Sequence, residues 1–116
     1  MIDVLIQGRI RGGVTIKPNQ QGKDYAIFRL STTDKNGEPL LCGCITFDAA
    51  AVEAVQRLGN GDPVAVSGEA SIHSWRDRNG VERLGMDVTV HQAMSPHHAG
   101  RKRTGRMQQE ADDRAG

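Results

Sequence analysis

The chain has 116 residues, enough for one domain with its own core and no need of disulfide or metal staples. Its formal net charge is +1, but residues 1–96 carry ten Lys/Arg against eleven Asp/Glu, while the last twenty residues carry five against three. The body is therefore not a polybasic coat, and any polyanion it holds must be gripped by a local patch or by stacking rather than by a bulk excess of cations.

No apolar run approaches the roughly 20 residues that a bilayer span needs. The opening Met1-Ile2-Asp3-Val4 lacks a basic stretch followed by a long apolar one, so the expected location is the cytoplasm. Cys42 and Cys44 stand two apart in a strand-like stretch and so point to one face. They are poorly placed for a mutual disulfide, and reduced thiols fit best.

Met1 to Arg11 alternates, with Ile2, Val4, Ile6 and Ile10 on one face and Asp3, Gln7, Arg9 and Arg11 toward the other, which predicts a half-buried strand. Gly12-Gly13 is expected to break it, with Val14 to Lys17 as a bent extension and Pro18 to Lys23 as a loop. Tyr25 to Thr33 reads as a second strand, with Ala26, Phe28 and Leu30 in phase. Asp34-Lys35-Asn36-Gly37 contains Asn-Gly, whose tolerance of positive φ predicts a tight hairpin turn into a third strand from Pro39 to Phe47. Asp48 is a good N-cap for an alanine-rich helix from Ala49 to Leu58, where Val52, Val55 and Leu58 share a face. Pro63 to Ser74 and Val81 to Ala93 complete the set as fourth and fifth strands, joined by Asp77 to Gly80, again through Asn-Gly. In these, Val64, Val66, Gly68, Ala70 and Ile72 are in phase, as are Leu84, Met86, Val88 and Val90.

Five strands with one short helix between the third and fourth is the order of the oligonucleotide/oligosaccharide-binding (OB) fold, an all-β Greek-key barrel whose open face and hairpin loops bind single strands. The predicted domain covers residues 1–96. From His97 to Gly116 the apolar pattern stops, and the mixture of polar and charged residues predicts a disordered basic and polar tail.

The body resembles the bacterial single-stranded DNA-binding protein family over about Ile2 to Met94. The resemblance rests on Asp3-Val4-Leu5-Ile6-Gln7-Gly8-Arg9-Ile10, on Ala26-Ile27-Phe28-Arg29-Leu30-Ser31-Thr32-Thr33, and on the stretch from Phe47 to Trp75. Its most specific piece is Ser74-Trp75-Arg76-Asp77-Arg78-Asn79-Gly80-Val81-Glu82-Arg83, since the family has a tryptophan, a polar turn with Asp, a glycine and a basic residue there. The resemblance implies that Trp75 and Phe47 stack on bases, and that the protein is a homo-oligomer, dimer or tetramer. Two further tryptophans of the family are missing: Leu41 stands where one lies on the third strand, and the loop that holds the other is shortened to Asp34–Glu38. The family's acidic tip ending in Pro and Phe is also missing, since the chain ends Glu110-Ala111-Asp112-Asp113-Arg114-Ala115-Gly116, so recruitment of replication or recombination proteins through that tip is not expected. A base–aromatic stack is worth about 1–3 kcal/mol, and two missing platforms predict weaker or more salt-sensitive binding than the family norm.

Trp75 is the sole indole, set between arginines on a polar hairpin, and is the first candidate for base stacking. Phe47 is either a second platform or plain core, and Tyr25 is either on the binding face or an ordinary strand tyrosine. Arg9, Arg11, Arg29, Arg76, Arg78 and Arg83 are candidate phosphate contacts, with Lys17 and Lys23 as steering charges in a mobile loop. The alternative for each is a solubilising surface cation that pairs weakly, for instance with Asp77 or Glu82. Arg101-Lys102-Arg103 with Arg106 is either a non-specific grip on the backbone or a solvated run. Cys42-Gly43-Cys44 with His73, His91, His97 and His98 lacks a second correctly spaced pair and is a poor metal motif. No phosphate-binding glycine loop, Ser/His/Asp set or paired acids stand out, so neither catalysis nor a cofactor is expected.

These observations predict non-specific binding of single-stranded DNA in replication, recombination or repair. The alternative is an adaptor resembling primosomal replication protein B, which would bridge replication-restart proteins and touch DNA weakly.

Overall fold

A computed structural model describes residues 1–95, and the expected tail lies outside them. The elements are β1 (Ile2–Pro18), β2 (Asp24–Thr33), β3 (Pro39–Thr46), α1 (Ala49–Gln56), β4 (Pro63–Arg76) and β5 (Glu82–Met94). They close a barrel in the order β1-β2-β3-β5-β4. All pairings are antiparallel except β3 with β5, where Leu41 aligns with Gly85 and Cys44 with Val88. This is the five-stranded OB-type barrel that the strand count and helix position predict.

The alternation fills the barrel as read. Ile10, Phe28, Leu30, Cys42, Val64, Val66, Val88 and Val90 are all buried in one cluster. The helix lies against this cluster through Val52 and Val55, with Leu58 joining them just past its end, and Asp48 caps it by accepting the Ala51 amide at 2.9 Å. The Thr46 hydroxyl, fully buried, donates to the Val90 carbonyl at 2.8 Å and so costs little. Cys42 and Cys44 are buried too, and burial first of all pushes the Cys44 thiol up to about 12, so it stays protonated.

Gly12-Gly13 does not break β1. The strand runs on to Pro18 through a bulge between Arg11 and Val14, because the turn after the helix supplies the missing partners. Gly12 donates to Asn60 Oδ1 at 2.8 Å, Gly13 bridges Gly59, and Gly61 donates to the Ile10 carbonyl at 2.7 Å. Lys17 consequently lies in a strand and not in a loop. β4 likewise extends to Arg76, two residues past the expected end, and carries Trp75 on the ladder. The helix stops two residues short of Leu58.

Three hairpin turns are built alike. Asn19, Asp34 and Asp77 each accept two amides on one side-chain oxygen, from residues two and four further on. Each also accepts, on its own carbonyl, the amide of the glycine three residues on: Gly22, Gly37 or Gly80, with φ of 78°, 80° and 75°. These are Asx turns closed by a left-handed glycine, where tight Asn-Gly turns were expected at Asp34–Gly37 and Asp77–Gly80 and a loop at Pro18–Lys23. No non-glycine residue among those described has positive φ, so Asn36 and Asn79 do not use the freedom that singled them out.

Candidate nucleic-acid interface

Where core residues point inward, their neighbours point out, and the register of the five strands decides which outward residues meet. Cross-strand partners put Arg11 of β1 opposite Arg29 of β2, Arg29 opposite Gly43 of β3, Gly43 beside Asp87 of β5, and Asp87 opposite Ser71 of β4. The next lateral row runs Arg9, Ser31, Leu41, Gly85, His73, and Trp75 sits one step beyond, opposite Arg83. At the other end of the same face Lys17 lies opposite Tyr25, whose ring meets Phe47 at a centroid distance of 5.4 Å and a tilt of 31°. With about 3.3 Å per strand residue, the two aromatic ends are on the order of 25 Å apart along the strands.

Trp75 is 39% exposed, half covered rather than stranded in solvent. Phe47 is 59% exposed, which rules out the plain-core alternative and leaves an aromatic face open beside Tyr25. Phe28, by contrast, is core, as expected.

The cations separate into groups. Arg11 and Arg29 are exposed, directly opposed and without a carboxylate partner among the described residues, an arrangement of like charges that costs energy until an anion bridges it. Arg83 is held beside Trp75 by its Nε–H, which donates to Asp77 Oδ2 at 2.8 Å. That bond, helped by the Val81 and Asn79 amides, holds the Asp77 carboxyl below the usual carboxylate range. Arg9 is partly spent on the fold, donating from Nη1 to the Gly61 carbonyl at 3.0 Å. Arg78 is exposed at the turn and Lys23 in another, the Lys23 amide going to Asn19 Oδ1 at 2.9 Å. Arg76 lies opposite Glu82 and, one residue on from Trp75, faces the reverse side of the hairpin, so the structure does not bring it to the indole.

Sequence reasoning missed His73 and Asp87 as members of this face. His73 Nδ1 lies 3.3 Å from Asp87 Oδ2, and both line a depression with Arg29, Leu41, Gly43 and Trp75. A second depression continues from it along β2, β3 and β5, sharing Arg29, Gly43 and Asp87. Only the alternation on β4, which gives His73 the same side as Trp75, could have found the first of them. Among the described residues no cluster of His, Cys, Asp and Glu is set to hold a metal ion.

A small barrel with aromatic rings at both ends of one face and opposed cations between them defines a single-strand-binding module of the OB class. The match to a family model settles which one: over residues 1–95 the chain matches the single-strand binding protein family, and it belongs to that family. Solved structures share the fold. The small single-stranded DNA-binding protein from Streptomyces coelicolor superposes with a TM-score of 0.63 at 22% identity, covering 81% of this chain and 93% of that one. The Plasmodium falciparum SSB in complex with single-stranded DNA gives 0.61 at 18%, covering 82% and 94%. The mitochondrial single-stranded DNA-binding protein from S. cerevisiae gives 0.58 at 14%, covering 81% and 93%. No curated protein matches the chain at the sequence level. No helix among the described residues is long and apolar enough to cross a membrane.

Proposed function

We propose that the chain binds single-stranded DNA by stacking bases on Trp75 and Phe47 and holding phosphates with Arg11, Arg29 and Arg83, in DNA replication, recombination or repair. The observation that carries this reading is the Arg11–Arg29 opposition, without a carboxylate partner among the described residues, midway between the two aromatic ends. Lys17 and Tyr25 support the Phe47 end, while Lys23, Arg9, Arg78 and Arg76 contribute long-range attraction only. The role is binding and not catalysis, exercised in the cytoplasm wherever the nucleoid exposes single strands.

Leu41 occupies the middle of the face without offering a ring, so affinity depends more on cations, and therefore on salt, than it would with a third aromatic. The chain is further proposed to act as a homo-oligomer. Leu5 is 79% exposed in mid-strand, next to an apolar patch that includes Ala65 and Met94, a surface of the kind that self-association covers.

Titrating Trp75 fluorescence with oligo-dT tests the binding reading, since any change in the indole signal is assignable to one residue. Saturable quenching that weakens steeply with salt is expected. No binding, by quenching or by a label-based assay, would overturn it.

A further inference from the structure

Gly43 and Gly85 lie diagonally on the adjacent strands β3 and β5; Gly43 lines the depression beside Trp75, and Gly85 lies under the His73 ring that forms one of its walls. Its volume is about 420 Å³, and its walls are Arg29, Leu41, His73, Trp75 and Asp87. Small-ligand sites fall at about 300–1,000 Å³, so the space suits a single planar base. Two side chains reach over these glycines: a Cβ on Gly43 would come 3.0 Å from Asp87 Oδ1, and one on Gly85 would come 2.9 Å from His73 Nε2. Both polar side chains thus lean over the glycines and into the depression.

Asp87 is the member that non-specific binding does not explain. Its side chain is 66% exposed on a face that meets phosphates, where a negative charge repels the ligand. A carboxylate accepts hydrogen bonds at about four lone-pair positions, and His73 Nδ1 occupies at most one of them, on Oδ2. The groups of a single strand that can donate to the remainder are the base N–H groups. Guanine offers N1–H and an N2 amino hydrogen side by side, matched to the two carboxylate oxygens. Cytosine and adenine place a ring-nitrogen lone pair next to their amino group, and thymine has one N–H between two carbonyls, which the carboxylate repels. Trp75 is the adjoining apolar wall for such a ring, and Arg29, across Gly43 from Asp87, stands where a phosphate needs a cation.

We propose that this depression is a base-recognition pocket in which Asp87, steadied by His73, accepts the paired N–H groups of guanine, giving the protein a preference for guanine over thymine within single strands. The proposal rests on the single-strand-binding reading. It assigns specificity to a carboxylate beside the Trp75 stacking platform.

The test uses the full chain and three fluorescein-labelled oligonucleotides: all dT, the same with every third position dG, and the same with deoxyinosine there. Deoxyinosine keeps N1–H and lacks the amino group, and spacing the guanines apart keeps them from associating. Fluorescence anisotropy should show the dG strand bound about tenfold more tightly than the deoxyinosine strand, the size of one good bidentate base contact. Asp87→Ala and the isosteric Asp87→Asn should each erase that ratio, and Asp87→Ala should bind all-dT more tightly because a negative charge has left the face. Equal affinities for dG and deoxyinosine strands in the unmodified protein, or a ratio that survives in both variants, would overturn the pocket. Tight binding without a guanine preference sinks this inference alone, whereas failure to bind any of the three strands sinks the single-strand reading with it.

Discussion

The two halves of the β4–β5 hairpin carry one alternation and live in different surroundings. In the half next to the helix, Val64, Val66, Val88 and Val90 are buried. In the outer half Ile72 and Leu84 continue the same phase but are 60% and 62% exposed, because β1 pairs with β4 only as far as Ala70 and β3 with β5 only as far as Gly85. A period of two therefore reports which side of a strand a residue faces and says nothing of how far the barrel reaches. The outer half is an arm that projects past the ends of the β1 and β3 pairings, and the Asp77 turn closes its tip.

That contrast can be broken or sharpened at several points. The largest effect belongs to the barrel: Phe28→Ala should lose about 3–5 kcal/mol in urea unfolding, while Ile72→Ala on the arm should lose well under 1 kcal/mol. Similar losses at the two sites would mean that the inner face of the arm is covered. Next comes the joint between the halves, where the ladder shifts register between Ser67 and Gly68. A Cβ on Gly68 would fall 1.9 Å from the Thr89 carbonyl oxygen, so Gly68→Val should cost about 1–3 kcal/mol or more and lower the unfolding midpoint. On the arm itself Trp75→Ala should remove about 1–3 kcal/mol of affinity for oligo-dT while cooperative unfolding of the barrel persists, as measured by anisotropy and circular dichroism in parallel.

The smallest effect is a pH response confined to the arm. Because the folded hairpin holds the Asp77 carboxyl below its ordinary 3.8, Asp77 stabilises the arm fully above that value and loses the contribution as pH falls through the lower folded one. Trp75 emission should change below about pH 4 in the parent chain, and the same acid titration of Asp77→Asn should lack that component. An identical acid transition in both would detach the turn from the carboxylate.

Most of the barrel was legible because alternation and capping are local: Phe28, Val64 and Val88 sit where their phase puts them, and Asp48 caps the helix. What was not legible needed a partner from elsewhere in the chain. The continuity of β1 depends on Asn60, some fifty residues away from Gly12, and without that partner Gly12-Gly13 reads as a stop. The candidate site shows the same division. Trp75 stood out by itself, but the pairing of Tyr25 with Phe47 and the opposition of Arg11 to Arg29 follow from register, which the turns and the bulge after Arg11 set and which the alternation alone does not give. Arg76 was misplaced by a single step of parity. Asp87 carried no local signal at all, since an isolated carboxylate on a strand looks like any solvated residue.

The parallel seam between β3 and β5 has a consequence for the order of assembly. The hairpins β1–β2, β2–β3 and β4–β5 join neighbours in the chain through turns that need no tertiary support, whereas the seam joins Leu41 to Gly85 across 44 residues. Long-range pairing of this kind carries the loop-closure entropy and forms slowly. Leu41 and Gly43 lie on one side of that seam and Gly85 and Asp87 on the other, so a chain with all three hairpins made still lacks the depression. Affinity for a guanine-bearing strand should accordingly return only once this seam has formed, making ligand capture a report on the β3–β5 pairing.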